Sequence, residues 1–118
     1  MHIVLVDDNE IDIFVNQKLL ETMGFEAQID AFLNPKEGLL KLTSSNVDLL
    51  IVDNQMPELT GYQFIEKLIG KKSNNLPKII VLTATVNDQL QKEYTSLHPE
   101  IKLWEKPLDV AELSALFR

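Results

Sequence analysis

Leu49-Leu50-Ile51-Val52-Asp53-Asn54 decides how this chain folds. Four apolar residues run without alternation into an acid and an amide. A strand exposed on one face would alternate. A continuous run closed by polar residues is the pattern of a strand covered on both faces in a parallel sheet. Working outward, the same pattern recurs at Ile3-Val4-Leu5-Val6, ended by Asp7-Asp8, and at Ile79-Ile80-Val81-Leu82, ended by Thr83. Two further segments alternate instead. Ala27, Ile29 and Ala31 interleave with Gln28 and Asp30, and Ile101 and Leu103 flank Lys102, which reads as half-exposed edge strands.

Helical signals lie between these runs. Ile11, Phe14, Val15, Lys18 and Leu19 recur at three-to-four spacing and define the expected stripe of a first helix, stopped by Gly24. Asn34-Pro35-Lys36-Glu37 offers a cap, a proline at the first helical position and a following acid. Thr60 caps a helix carrying Phe64, Ile65 and Leu68 and ending near Gly70. Asn87 caps the next, and Asp109-Val110-Ala111-Glu112 has the form of a capping box ahead of Leu113, Leu116 and Phe117. Five β-α units in succession imply parallel pairing through right-handed crossovers, hence an open, doubly wound α/β sheet.

Composition narrows the function. The 118 residues suit one core of ordinary size, and the absence of cysteine excludes disulfides and thiolate chemistry. Eleven basic against eighteen acidic residues give a formal charge of −7, which leaves little to build a basic face for nucleic acid. The Lys71-Lys72 pair reads as the solvated end of a helix. The N-terminal apolar run is too short for a signal peptide, and no run approaches the roughly 20 residues of a membrane span. A cytoplasmic domain with no membrane or direct nucleic-acid contact is expected.

The polar residues that end the strands carry the chemistry. Asp7 and Asp8, Asp53, Thr83 and Lys106 follow successive strands, and a parallel sheet gathers those ends along one edge, where open α/β sheets bind ligands. Singly, such an Asp or Thr reads as a turn residue or a cap, and Lys106-Pro107 as a surface turn. Jointly they point to a site. Crowded carboxylates repel unless a cation neutralises them, and an all-oxygen set favours a hard ion such as Mg²⁺. A hydroxyl and an ammonium suit the oxygens of a phosphoryl group, and one carboxylate could be its nucleophile.

At these residues the chain resembles the receiver domain of two-component response regulators over essentially its whole length. The match is carried by Val6-Asp7-Asp8-Asn9, by Asp53-Asn54-Gln55-Met56-Pro57 with Gly61 following, by Thr83-Ala84 and by Lys106-Pro107. The resemblance implies a flavodoxin-like five-stranded parallel sheet in the order 2-1-3-4-5 with helices on both faces. It implies that Asp53 is the phosphoacceptor, served by a sensor histidine kinase or a histidine phosphotransfer protein. Asp8, Asp53 and the backbone carbonyl of Gln55 would bind Mg²⁺ or Mn²⁺, with Asp7 acting through a water. Lys106 and Thr83 would hold the phosphoryl group, beside which Ala84 leaves room. Pro57 and Gly61 would shape the loop after Asp53, and the peptide before Pro107 would be cis. Gln55 and Thr85 would tune the lifetime of the acyl phosphate.

One position departs from the family pattern. An aromatic residue usually precedes the lysine by three positions, and here Leu103 stands there with Trp104 next to it. Leu103 and Trp104 are therefore candidates for a face, formed by the fourth helix, fifth strand and last helix, that would carry a signal to a downstream protein. Residues 1–118 read as one receiver with no output domain, a switch rather than an enzyme. A phosphorelay intermediate is the alternative within that class. A metal-dependent phosphatase of the haloacid-dehalogenase type would carry a second Asp where Gln55 stands. An FMN carrier would need a hydroxyl- and glycine-rich loop in place of Asp7-Asp8-Asn9-Glu10.

Overall fold

A computed structural model of the chain describes residues 1–24, 26–72 and 74–117. Five strands, β1 (His2–Val6), β2 (Gln28–Phe32), β3 (Leu49–Asp53), β4 (Lys78–Thr83) and β5 (Lys102–Glu105), form one parallel sheet in the order β2-β1-β3-β4-β5. Helices α1 (Glu10–Glu21), α2 (Pro35–Ser44), α3 (Gly61–Lys71), α4 (Asp88–Leu97) and α5 (Val110–Leu116) follow the strands in turn. The three continuous apolar runs are the three central strands, and the two alternating segments are the edges. Placement follows from burial, since only central strands of such a sheet are covered on both sides.

Strand alternation divides the core into two layers. Val4, Val6, Leu50, Val52 and Val81 face Leu42 of α2, Phe64, Ile65 and Leu68 of α3 and Tyr94 of α4. Ile3, Leu5, Leu49, Ile51, Ile80 and Leu82 face Leu20 of α1 and Leu113 of α5. The capping residues act as expected. Asn34, Thr60, Asn87 and Asp109 each accept a backbone N–H of the first turn, and Thr60 and Gln63 complete a reciprocal box. Gly24 takes a φ of +74° just beyond α1, a left-handed conformation that glycine adopts without steric cost.

Three expectations need correction. The expected apolar stripe of α1 is outward in its first half: Ile11, Phe14 and Val15 are 73%, 60% and 40% exposed, while Ile13, Asn16 and Leu20 pack inward and Leu19, half-buried, packs against the same layer. The Lys71-Lys72 pair is not simply a solvated end, because Lys72 Nζ donates to the carbonyls of Leu42 and Ser45 at 3.1 and 3.0 Å and ties α3 to the end of α2. Leu103 is buried in the layer that holds Tyr94. It lies beneath the α4–β5–α5 face rather than on it. Trp104, one residue on, is half-buried against the opposite layer with Leu108 and Leu113.

Candidate functional site

The C-terminal ends of β1, β3 and β4 and the turn after β5 bring the sequence-selected residues together. Asp7 follows β1, where its N–H donates to the Phe32 carbonyl at 3.1 Å and its Oδ1 accepts from Asn9 N–H at 2.9 Å. Asn9 in turn caps α1, accepting from Ile11 and Asp12 N–H. The first helix is thereby hung from the residue that ends the first strand. Asp53 closes β3, and the Asn54 N–H continues the ladder to the Leu82 carbonyl at 2.9 Å. Lys106 is placed by its own N–H, which donates to the Thr83 carbonyl at 2.8 Å, and the Lys106–Pro107 peptide is cis.

Asp7, Asp8 and Asp53 each present a carboxylate oxygen, all within 4.8 Å of one another. Asp7 and Asp53 are buried and Asp8 is exposed. This donor set has no histidine or thiolate and one open side, which fits a hard divalent cation that keeps part of its water shell. Lys106 Nζ lies 2.9 Å from Asp53 Oδ1 and 3.9 Å from Asp7 Oδ2. A cleft of about 540 Å³ opens over Asp53, lined by Gln55, Thr83, Ala84, Thr85 and Lys106 among others.

The electrostatics follow from crowding. Burial pushes the Asp7 carboxyl up to about 6; the Asn9 N–H and Lys106 oppose the rise, while the charges of Asp53 and Asp12 add to it. Burial also raises Asp53, against the hydrogen bond and charge of Lys106, with Asp8 and Asp12 adding repulsion. For Lys106, burial works against the ammonium. Hydrogen bonds to Asp12 and Asp53, together with the charges of Asp53 and Asp7, outweigh it and hold the group above its ordinary value.

Thr83 is buried at the edge of the cleft, and its hydroxyl donates to the Thr85 carbonyl at 3.2 Å rather than toward Asp53. Ala84 and Gln55 are exposed and line the same cleft, and Pro57 is exposed in the loop after β3. Gly61 begins α3 with its N–H on the Asn54 carbonyl at 2.9 Å. A Cβ there would come within 2.7 Å of both the Asp53 carbonyl oxygen and Tyr94 Oη. Only glycine lets α3 start this close to the strand.

Two contributors escape the sequence reading. Asp12, on α1, places Oδ2 2.9 Å from Lys106 Nζ. An acid in the first turn of a helix is ordinary on dipole grounds, so nothing local marks it. Tyr94, wholly buried on α4, donates to Asn54 Oδ1 at 2.6 Å. Both links join residues far apart in sequence.

The comparisons agree with this geometry. The family described as the response regulator receiver domain matches residues 3–118. Hybrid signal transduction histidine kinase L of Dictyostelium discoideum is 30% identical over 98% of this chain. The aerobic respiration control sensor protein ArcB of Escherichia coli K12 is 29% identical over the whole of it. The chain spans only 7% and 15% of the lengths of those two proteins. Among solved structures, chemotaxis protein CheY4 of Vibrio cholerae superposes with a TM-score of 0.79 at 22% identity, covering 98% of this chain and 94% of that one. The signal receiver domain of a DNA-binding response regulator from Colwellia psychrerythraea 34H does so with a TM-score of 0.85 at 19% identity, covering 99% and 94%. With the sheet order, the strand-end carboxylates and a family match over nearly every residue in agreement, the chain belongs to the response regulator receiver domain family.

Proposed function

We propose that this receiver is a Mg²⁺-dependent phosphoacceptor switch in which Asp53 accepts a phosphoryl group from a phosphohistidine on a sensor kinase or phosphotransfer protein. The observation that carries the reading is the pairing of Asp53 with Lys106 at 2.9 Å inside a cluster of two further carboxylates. An Asp53 carboxylate oxygen forms a bond to phosphorus as the P–N bond of the phosphoimidazole breaks. The electron pair of that bond leaves with the imidazole nitrogen, and the product is an acyl phosphate. Asp8, Asp53 and the carbonyl of Gln55 would hold Mg²⁺, or Mn²⁺ in its place, with Asp7 acting through a water. When bound, the ion supplies positive charge against the phosphoryl oxygens.

Lys106 then moves its ammonium from the carboxylate to a phosphoryl oxygen. Thr83 has to give up the Thr85 carbonyl for its hydroxyl to reach the same group, and Ala84 leaves space beside it. That rotation pulls on the loop 84–87 ahead of α4 and changes the face formed by α4, β5 and α5. Trp104 is the residue of that region best placed to report it. The output is a contact with a downstream protein, in the cytoplasm, without catalytic turnover of a substrate. A phosphorelay step, with the group passed on to a second histidine, is the second reading. The match to proteins named as a hybrid kinase and a sensor favours it.

Intact mass after incubation with acetyl phosphate and Mg²⁺ tests the assignment. Wild type gains one base-labile phosphoryl group and Asp53→Asn gains none. Equal labelling of the variant moves the acceptor elsewhere.

A further inference from the structure

The Lys106 ammonium faces carboxylates from three directions. Asp53 Oδ1 at the end of β3 and Asp12 Oδ2 on α1 both lie 2.9 Å away, with Asp7 Oδ2 beyond them at 3.9 Å. Asp12 is not needed to cap α1, because Asn9 Oδ1 already accepts the N–H groups of Ile11 and Asp12. Its carboxylate instead reaches across 94 residues of sequence to the lysine that serves the phosphoacceptor.

We propose that Asp12 is a positioning residue for phosphoryl transfer: it holds Lys106 from the α1 side and withholds part of the ammonium's charge from the group on Asp53. The proposal rests on the phosphoacceptor reading of Asp53 and deepens it. A phosphoryl group brings about −1.5 to −2 of charge at neutral pH into a cleft already lined with acids. One ammonium then serves the phosphoryl group and Asp12 together. The phosphorylated form is held less tightly than the rest of the site would allow, and the group is surrendered more readily. Such a property suits a domain that passes phosphate onward. A carboxylate serving only the α1 dipole would change stability and leave phosphoryl binding alone.

The charge is separable from the shape. Asp12→Asn keeps the size of the side chain and an amide oxygen for the ammonium, but removes the competing charge. Asp12→Glu restores the charge. The Lys106 and Asp12 side chains are 29% and 34% exposed, so solvent screens the pair and the expected effect is moderate, about fivefold.

The test compares wild type, Asp12→Asn and Asp12→Glu in three measurements: beryllofluoride titration by calorimetry with Mg²⁺, phosphorylation by phosphoramidate followed by intact mass, and the Lys106 ammonium ¹⁵N resonance in metal-free protein. Asp12→Asn is expected to bind beryllofluoride about fivefold tighter and to lower the KM for phosphoramidate by a similar factor with the maximal rate little changed. It should also shift the ammonium resonance, and Asp12→Glu should return all three toward wild type. Unchanged or weaker beryllofluoride affinity in Asp12→Asn, while wild type labels normally at Asp53, overturns the proposal and leaves the phosphoacceptor reading standing. Failure of wild type to label at Asp53 overturns both.

Discussion

Tyr94 Oη donates a 2.6 Å hydrogen bond to Oδ1 of Asn54, the residue next to the phosphoacceptor candidate, from a ring that is completely buried. Tyr94 lies on α4 and Asn54 at the start of the turn after β3, so the bond fastens the fourth helix to the side chain that follows Asp53. Burial raises the phenol above its ordinary range, so it remains a donor throughout the working pH range. The Tyr62 ring, 6.1 Å away between centroids, packs beside it. In this chain Leu103 shares that apolar layer and has no polar tip. A polar connection between the site and α4 thus runs through Asn54 and Tyr94.

Removing the Tyr94 hydroxyl leaves the Asn54 amide oxygen without its partner at a half-buried position. Tyr94→Phe is expected to cost about 1–3 kcal/mol in urea unfolding. In a double-mutant cycle with Asn54→Ala, the two losses should fall short of additive by about 1 kcal/mol. Strictly additive losses would show that the contact contributes nothing.

Asp8 sets function against stability. Its charge is one of the causes that raise Asp53. Asp8→Ala should therefore melt at a higher temperature than wild type in the absence of divalent ions. Mg²⁺ at ten times its dissociation constant should stabilise wild type by about 1.4 kcal/mol and the variant by little. Melts of both proteins with and without Mg²⁺ decide it. Equal stabilisation by the ion would remove Asp8 from the metal site.

The pH dependence of the metal-free protein should run against the usual carboxylate trend between about pH 4 and 6. The Asp7 carboxyl rises from its ordinary 3.8 to about 6 on folding, so the folded state binds more protons across that window. The contribution of Asp7 is then fully present below about pH 4 and is lost as pH rises through 6. The loss attached to Asp7 is at most about 3 kcal/mol before the neighbouring charges readjust. Asp7→Asn should flatten this fall and be the more stable protein at pH 7. Unfolding curves at intervals of half a pH unit measure it, and a variant with the wild-type slope would place the titration on another group.

Thr83 is the hinge of the proposed response. Thr83→Ala should still accept phosphate at Asp53 but lose most of the change in Trp104 fluorescence that Mg²⁺ and beryllofluoride produce in wild type. Trp104 is the sole tryptophan, so the signal has one source. A wild-type response from Thr83→Ala would mean that coupling bypasses the hydroxyl.

The fold and most of the site were legible because their signals are local. Burial on both faces writes continuous apolar runs into Ile3–Val6, Leu49–Val52 and Ile79–Leu82, and capping writes Asn34, Thr60, Asn87 and Asp109 just ahead of their helices. The face of α1 was not legible. Its inward stripe contains Asn16, and a polar residue inside an apolar row hides the row, while Ile11, Phe14 and Val15 mimic one on the outside. Asp12 and Tyr94 were missed for another reason. Each acquires its role from a partner 94 or 40 residues away, which no window along the chain contains.

The two-layer core also constrains the length of the chain, not only its residues. Asp53 shares the parity of Ile51 and serves the α1 side of the sheet, and Asn54 shares that of Val52 and serves the α4 side. A deletion or insertion of one residue within β3 would exchange them, sending a carboxylate toward the Tyr94 phenol and an amide toward Lys106. Changes in chain length during divergence should therefore collect in the loops before β3 and β4. The length of β3, five residues here, is the quantity that a change of apolar identity would leave untouched and a change of number would not.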